Sequence, residues 1–488
     1  MRKLITSGII AGALSVSAQQ LSLPNAIRIA QENSYDGQLA KYSFMASYWT
    51  YCSFKAELRP SLSLNGGIAN FDHSLVAVRK YEDGQVAYVN NNSMTNYLTL
   101  SLDQKIVATG GTVSLQSYLY RLDQFSYNKK IYNSQPLRIN YTQPLRSFNE
   151  LKWEKRTSPI EYQIAQKTFL TALQDVTLRV TELYFSVLTA QSDYKQSLAT
   201  LRDRETLFEM AQKRLTLGTT TKSEVLQLEL SLLNARVAVN KKKLELDDRL
   251  YQFFSYMRVT DYTMVELVPP NLISDLLLNV DDVLQKAITN SSHTLDQQLQ
   301  KLEAEMSLAQ ARHSKGIQFS LHGEVGFSQT ASTISNTYHH LRDNEIVGLT
   351  FSFPIFDWNV SRGKIKMAEA RMEITRTRLE QAHADYIQEL RKKVYQFNIE
   401  PLQCKDALRA QEIAEERYDI TRRRFETGVV SVTDLNTAQQ EMESAKIQYI
   451  TLLQTLWTDY YTLQKLTLYD WIRGTDINVD FDTIINHK

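Results

Sequence analysis

The stretch Arg424-Phe425-Glu426-Thr427-Gly428, followed after five residues by Asp434-Leu435, has an earlier counterpart in this chain. The counterpart reads Arg214-Leu215-Thr216-Leu217-Gly218, followed after five residues by Glu224-Val225-Leu226. The two glycines are 210 positions apart, and Pro144 and Pro354 have the same separation. A single internal duplication of this kind predicts two similar halves that contain the same elements in the same order.

Hydrophobic periodicity predicts the helices around each motif. Each glycine follows a long helical pattern, at 150–214 and 361–425, and precedes a shorter one, at 221–258 and 431–470. A helix of about 65 residues is about 98 Å long and needs partner helices along its length. Pro159 and Pro401 are expected to kink or interrupt the two long helices.

Alternating, strand-like stretches separate the long helices from a helical pattern that opens each half, at 24–57 and 281–314. These stretches are 58–66 and 139–142 in the first half and 317–323 and 347–353 in the second. Polar loops are expected at 90–93 and 328–343. The first half is about 47 residues longer and contains two more alternating runs, 97–102 and 113–120, around a Gly-Gly hairpin signal. The sequence therefore leaves the number of strands open at four or six.

Composition excludes several classes of protein. The 488 residues contain 55 Lys and Arg against 54 Asp and Glu, so the chain has no electrostatic footprint for nucleic acid. With 43% hydrophobic and 22% charged residues, it can bury a core. Two cysteines, Cys52 and Cys404, rule out a disulfide scaffold or a zinc ribbon. Both are interpreted as small buried helix residues, and whether they pair is left open.

The N-terminus has the pattern of a secretory signal peptide over 1–18. Arg2 and Lys3 precede an apolar run from Leu4 to Val16, and Val16-x-Ala18 fits a cleavage site. No later stretch approaches 18 apolar residues, so an exported membrane form has to span as a closed barrel.

No catalytic or metal-binding constellation is visible in the sequence. His339-His340 lie in a polar stretch far from other ligand residues, and the remaining histidines lack ligand spacing. The chain has neither a Walker A motif nor a dinucleotide-binding glycine loop. The prediction is a protein that is not an enzyme, that has no cofactor or metal, and whose energy comes from a partner.

The paired glycine motifs and the order of elements resemble the TolC family of outer-membrane efflux and export channels. The family pattern of Arg-Phe, two residues, Gly, five residues and Asp matches 424–434, and 214–224 is similar to it. The resemblance covers essentially the mature chain. It implies an α+β membrane protein, a trimeric outer-membrane β-barrel continuous with a long periplasmic α-helical coiled-coil barrel, with two structural repeats per chain.

The resemblance also implies a domain order. The first repeat follows the signal peptide, with a helix at 19–57, barrel strands and the extra hairpin at 58–145, and periplasmic helices at 146–260. A linker at 261–280 leads to the second repeat, with a helix at 281–315, strands at 316–356 and periplasmic helices at 357–472, and a C-terminal tail occupies 473–488. Five tyrosines are expected in aromatic girdles, although ordinary strand propensity also explains them: Tyr118, Tyr120, Tyr127, Tyr132 and Tyr141.

The implied function is conduction of substrates from the periplasm to the exterior of a Gram-negative cell, through a tunnel gated at its periplasmic tip. The implied partners are two further copies of the chain, a periplasmic adaptor (membrane fusion) protein, an inner-membrane transporter of the RND, ABC or MFS class, and outer-membrane lipid.

Two sets of residues at the tip follow from the resemblance. The gate or pore constriction is expected at Asp434, Glu224, Phe425 and Thr437, where a ring of Asp434 carboxylates would favour cations. The tip turns and the adaptor contact are expected at Arg214, Leu215, Gly218, Arg424 and Gly428. For both acids the alternative is compensation of a helix N-terminus.

Some positions depart from the family pattern. Thr437 stands where a second Asp is common, Val430 where an Arg can latch the closed state, and Phe425 where a Tyr can assist it. Packing near Phe425 is therefore expected to replace those polar links. Two alternative functions remain, a periplasmic coiled-coil scaffold without a pore and an outer-membrane barrel enzyme such as a lipase, although no Ser/His/Asp site supports the second.

Overall fold

The computed structural model describes residues 20–79, 85–260, 265–273, 276–427 and 429–486. The predicted signal peptide at 1–18 and the tip glycine Gly428 lie outside these residues. The chain divides into two units, which are described separately. The sheet unit contains Ala46–Ala165 and Leu295–Ala382, and the helical unit contains the described residues up to Met45, Gln166–Thr294 and those from His383 onward.

The sheet unit is built on six antiparallel strands that pair in chain order. Each strand pairs with the strand that precedes it and the strand that follows it in the chain, although several helices lie between Pro144 and Gln318. The strands are β1 (Ser61–Arg79), β2 (Val86–Ile106), β3 (Gly111–Gln124), β4 (Lys129–Pro144), β5 (Gln318–Ala331) and β6 (Arg342–Ser352). The strand number that the sequence left open is therefore six.

The first two strands extend well past the rest of the sheet. The β2–β3 ladder ends at Ser93 and Gln124, whereas the β1–β2 ladder continues from Asp72 and Ser93 to Arg79 and Val86. At about 3.4 Å per residue, this two-stranded ribbon projects roughly 24 Å beyond β3.

The polar loop predicted at 90–93 is wrong, because these residues lie inside β2. His73 pairs with Asn92, and the Asn91 amide donates to Asp72 Oδ2 at 2.7 Å. Backbone pairing with β1 overrides the turn preference of a run of asparagines. The loop predicted at 328–343 is shorter than expected, since β5 continues to Ala331, β6 begins at Arg342, and a 3₁₀ turn occupies Ser335–Tyr338.

The helices match the two predicted halves. They are α1 (Leu23–Asn33), α2 (Tyr35–Glu57), α3 (Glu150–Thr216), α4 (Lys222–Tyr256), α5 (Val280–Asn290), α6 (His293–His313), α7 (Val360–Glu426), α8 (Val432–Thr467) and α9 (Phe481–Asn486). The helix predicted at 24–57 is divided at Ser34, whose Oγ accepts from the backbone N–H of Gly37 at 3.1 Å. The helix predicted at 281–314 is divided in the same way after Asn290.

Pro159 and Pro401 lie within α3 and α7, and neither interrupts its helix. Of the two predicted effects, interruption of the helix does not occur, and a kink at either proline stays a prediction. None of the described helices combines the length and the apolar character needed to cross a bilayer.

The helical unit is held together by an apolar core along α1, α3, α4, α5, α7 and α8. Val180, Tyr184, Phe253, Phe397 and Leu453 are fully buried in it. The Tyr184 hydroxyl lies 2.9 Å from the carbonyl oxygen of Leu21 and 2.6 Å from that of Val268, so its one proton is shared between the two acceptors. Burial raises the pKa of Tyr184 to about 12. The hydroxyl thereby holds a short parallel pairing between Gln20–Leu21 and Glu266–Leu267 of the predicted linker.

The predicted C-terminal tail contains secondary structure. Thr475–Asp476 pairs with Tyr469–Asp470, and α9 follows. The Phe481 ring lies 5.0 Å from the ring of Phe44 and 6.2 Å from that of Phe169. The tail therefore packs onto the helices.

Candidate functional site

The six-stranded sheet has one polar face, built by alternation from side chains of different strands. On this face Ser101 of β2 donates to Asp103 at 2.8 Å, and Gln116 of β3 donates to Ser101 at 3.2 Å. Arg138 and Asn140 of β4 both donate to Gln116 Oε1, the latter at 2.9 Å.

This network reaches the last two strands through Glu324 of β5. Arg138 Nη1 lies 3.8 Å from Glu324 Oε1, and the Asn344 amide of β6 donates to the same oxygen at 3.1 Å. A chain of charged and amide groups therefore crosses five strands on one side. Such a wall suits contact with water.

The opposite face of the sheet is apolar and exposed. Leu62 and Leu64 of β1 are each 68% exposed, and all five remaining strands present exposed apolar side chains on the same side. We call the set the apolar belt: Leu62, Leu64, Leu98, Leu100, Leu102, Leu115, Leu137, Ile139, Val325, Phe327, Val347, Leu349 and Phe351. A contiguous exposed apolar surface on all six strands is the mark of an interaction with lipid or protein.

The register corrects part of the predicted tyrosine girdles. Tyr118 and Tyr120 share the face of Gln116, with ring centroids 6.2 Å apart, so they lie on the polar side. Tyr141 and Tyr132 stand near opposite ends of β4 on the side of the apolar belt. Between Gln116 and Tyr118 a β-bulge places two residues of β4 opposite one residue of β3, so that Arg138 and Gln135 of β4 both lie on the polar face.

In the helical unit, Gly218 ends α3 in a left-handed turn. Its φ is +73°, its N–H donates to Leu215 O at 3.0 Å, and the Thr219 N–H donates to Arg214 O at 3.0 Å. This hydrogen-bond pattern is a Schellman motif, which requires a residue that tolerates positive φ. In the second half the Val429 N–H donates to Arg424 O at 3.0 Å, the equivalent bond around Gly428.

Both predicted acids complete capping boxes at the helices that follow. Thr221 Oγ1 accepts from the Glu224 N–H, and the Glu224 carboxylate accepts from the Thr221 N–H at 3.3 Å. Asp434 Oδ2 accepts from the Ser431 N–H at 3.0 Å and from Ser431 Oγ at 2.8 Å. Hydrogen bonds from the Thr220 hydroxyl and then from the Thr221 N–H lower the pKa of Glu224, and those from the Ser431 N–H and hydroxyl lower the pKa of Asp434, so both acids are ionised at neutral pH.

The other predicted tip residues divide into buried and exposed ones. Phe425 is buried with Leu207, Val225, Tyr418 and Leu435 in a small core that we call the tip cluster. Thr437 is exposed and donates to Thr433 O at 3.0 Å. Arg424 and Leu215 are exposed, and Arg214 donates to the carbonyl of Glu426 at 2.9 Å, which links the ends of α3 and α7.

Sequence reasoning missed a polar network beside the tip cluster. Tyr418 of α7 donates to Asp203 Oδ2 of α3 at 2.6 Å, and Arg422 Nη1 lies 3.5 Å from Asp203 Oδ1. The pKa of Tyr418 is raised by burial and by the adjacent carboxylate. We call the contacts of Asp203 with Tyr418 and Arg422 the α3–α7 tie.

A second link joins α3 to α8. Arg204, only 7% exposed, donates through Nη2 to Asn436 Oδ1 and to Gln439 Oε1, each at 2.7 Å. Burial lowers its pKa, and no carboxylate lies within ion-pair distance among the described residues. Asn436 and Gln439 lie more than 200 positions from Arg204 in the chain, and no sequence motif contains them together, so the sequence does not reveal this contact.

In the part of the chain that the structure describes, the histidines and cysteines form no metal site. Among the described residues, no three His, Cys, Asp or Glu side chains converge as metal ligands. His339 and His340 follow the 3₁₀ turn between β5 and β6 and are exposed. Cys52 is half-buried and Cys404 is buried, and both are free thiols.

Known proteins share both the sequence pattern and the fold of this chain. A family model described as outer membrane efflux protein matches residues 72–254 and 283–467, one block in each half. No curated protein matches the chain by sequence.

Solved structures share the fold at low identity. The CmeC outer membrane channel of Campylobacter jejuni is 14% identical, with a TM-score of 0.66 over 95% of this chain and 88% of that one. VceC of Vibrio cholerae is 13% identical, with a TM-score of 0.62 over 93% and 97%. The open MtrE channel of Neisseria gonorrhoeae is 13% identical, with a TM-score of 0.63 over 94% and 91%. The expected two-repeat fold, with strands and long helices in each half, is confirmed.

Proposed function

The chain belongs to the outer membrane efflux protein family, and from this premise we propose that it is the outer-membrane channel of a tripartite efflux system or a type I secretion system. It lies in the outer membrane of a Gram-negative cell and extends into the periplasm. Its partners would be a periplasmic adaptor and an inner-membrane transporter of the RND, ABC or MFS class, which supplies the energy.

The opposite characters of the two sheet faces carry the proposal. Three copies of the chain would close the sheet around an axis, with the apolar belt toward lipid and the network of Gln116, Arg138 and Glu324 toward water. A periplasmic scaffold would have no use for an exposed apolar surface that extends over all six strands. The long helices α3 and α7, with α4 and α8, would line the periplasmic tunnel.

The gate in this proposal lies at the helix tips. Three ionised Asp434 carboxylates would form a cation-favouring ring, with Glu224 and Thr437 near it and Phe425 packed behind it. Arg214, Leu215, Gly218, Arg424 and Gly428 would form the turns that an adaptor contacts. The α3–α7 tie and the links of Arg204 would hold the closed state, in place of the Arg and Tyr that the family pattern puts near the second glycine.

A fractionation and conductance experiment tests this function. The protein expressed in a Gram-negative host should sediment with the outer membrane, require detergent for extraction and have the native mass of a trimer. In planar bilayers the purified trimer should open discrete ion-conducting channels. Release as a monomer by osmotic shock would instead identify a periplasmic scaffold, and a trimer without conductance would contradict a channel.

A further inference from the structure

The sheet ends in two open edges within the described residues. The outer side of β1 and the outer side of β6 pair with no further strand there. Unpaired backbone N–H and C=O groups are not tolerated against lipid, because each costs several kcal/mol in the absence of water. Both edges therefore require a partner strand in the membrane.

All six strands qualify as parts of a lipid-facing wall. Leu98, Leu100 and Leu102 of β2 and Leu115 of β3 belong to the apolar belt just as Leu349 of β6 does. Ser101 and Gln116 of the same two strands belong to the polar network. The additional hairpin β2–β3 therefore alternates between the two faces as the other strands do, and the apolar belt continues across it from Leu62 of β1 to Leu349 of β6.

Strand direction makes a second copy the fitting partner. Six strands in an antiparallel order place β1 and β6 in opposite directions. An edge β6 can therefore pair antiparallel with β1 of another copy, and its belt then continues into that copy's belt. The contact is head-to-tail, so repetition by rotation closes a ring.

We propose that β6 of each copy pairs with β1 of the next, and that three copies form a wall of eighteen strands. The proposal rests on the trimer of the proposed function, and it departs from the twelve strands that three copies with four strands each would form. Because barrel diameter grows roughly linearly with strand number, the outer pore is about one and a half times as wide as that of a twelve-stranded barrel. A barrel of this size leaves an aqueous channel, so the helix tips limit the size of the solute.

Disulfide trapping between copies tests the edge pairing. In a Cys52→Ser, Cys404→Ala background, Gly348→Cys of β6 is combined in turn with Ser61→Cys, Ser63→Cys or Asn65→Cys of β1, all on the polar face. A Cβ at Gly348 meets no atom within 4 Å, so the substitution fits. Mild oxidation should give covalently linked trimers for at least one of the three pairs.

The matched control separates the two wall sizes. If the β1–β2 hairpin stayed outside the wall, β3 would be the edge, and Gly348→Cys would link to Ser114→Cys of the next copy. Linkage of that pair, or a trimer without linkage at any β1 position, would overturn the eighteen-strand wall while leaving the channel function intact. A monomeric native mass would overturn the trimer and this wall together.

Polymer exclusion measures the width without any substitution. Polyethylene glycols of increasing size, added on the side of the β3–β4 turn, should enter the outer pore up to a radius about one and a half times that of a twelve-stranded relative. An equal cut-off in the two channels would contradict the wider wall.

Discussion

Glu400 is an acid placed where a charge is unfavourable. It lies on α7 with 7% of its surface exposed, and its Oε2 has no hydrogen-bond partner among the described residues. Asp459 of α8 is adjacent and is paired with Lys393 at 3.0 Å. Burial first, and then Asp459, raise the pKa of Glu400 to about 8, against the weaker opposing effect of Lys393.

This buried acid predicts a specific dependence of stability on pH. The unfolded chain ionises Glu400 near its ordinary pKa of 4.5, whereas the folded protein holds the proton until about 8. The contribution of Glu400 to stability is therefore present below pH 4.5 and is lost as pH rises toward 8. Glu400→Gln should reduce the fall in unfolding temperature between pH 5 and pH 8.5, measured by circular dichroism.

The exposed Glu389 on the same helix provides the control. Glu389→Gln should leave the pH dependence as in the unchanged protein, because that side chain is solvated. An unaltered slope in Glu400→Gln would show that Glu400 ionises in the folded protein like a surface acid.

At the scale of elements, local patterns predicted the helices well and the ends of the strands poorly. The long helix predicted at 361–425 is found at Val360–Glu426, because apolar spacing persists to its last turn. By contrast, Asn90–Ser93 joined β2 because β1 lies opposite, and a single stretch of sequence does not contain its partner. Pro159 and Pro401 show the same limit, since surrounding turns decide whether a proline ends a helix.

The tip shows which site residues a sequence can supply. Thr221-x-x-Glu224 and Ser431-x-x-Asp434 have the spacing of capping boxes, so the local role of both acids was readable. Asp203 and Tyr418 are 215 positions apart, and neither belongs to a motif. Their contact depends on how α3 and α7 pack, which single-helix periodicity does not specify.

The α3–α7 tie predicts the behaviour of the gate. A hydrogen bond to a charged group contributes about 1.5–3 kcal/mol, so Tyr418→Phe should raise the fraction of time that single channels are open roughly tenfold or more. Asp203→Asn should raise it at least as much, because it also weakens the contact with Arg422. Adding Tyr418→Phe to Asp203→Asn should change little further, because the two substitutions share the Tyr418–Asp203 hydrogen bond. Single-channel recording of purified trimers gives these fractions.

An exposed pair on the neighbouring helices provides the comparison. Arg417 and Glu441 connect α7 with α8 but are both largely solvated, so Glu441→Gln should leave the open fraction nearly unchanged. If Tyr418→Phe behaved like Glu441→Gln, the tie would stabilise the helices without holding the gate.

At the scale of the whole molecule, the polar and charged groups of the two units have different tasks. On the polar face of the sheet, the cationic Arg138 lies 3.8 Å from the anionic Glu324, so these two charges largely offset each other. At the tip, Asp434 is exposed and its partners are uncharged, namely the hydroxyl and N–H of Ser431. In the proposed trimer the strongest selection by charge would therefore occur at the periplasmic end.

The ring of Asp434 carboxylates would set the ion selectivity of the proposed trimer. Because capping hydrogen bonds lower the pKa of Asp434, each copy would bring an ionised carboxylate to the axis at neutral pH. Channels in planar bilayers should be cation-selective and should be blocked by trivalent metal ions from the periplasmic side. Asp434→Asn removes the charge but keeps an oxygen that can cap α8, so both effects should weaken while trimers still form.

Ser431→Ala is the opposite control, since it removes a capping partner and keeps the charge, and selectivity should persist. Block is expected to be weaker than in a two-ring channel, because Thr437 supplies no second carboxylate. Unchanged selectivity and block in Asp434→Asn would mean that Asp434 serves only as a helix cap and that the constriction lies elsewhere.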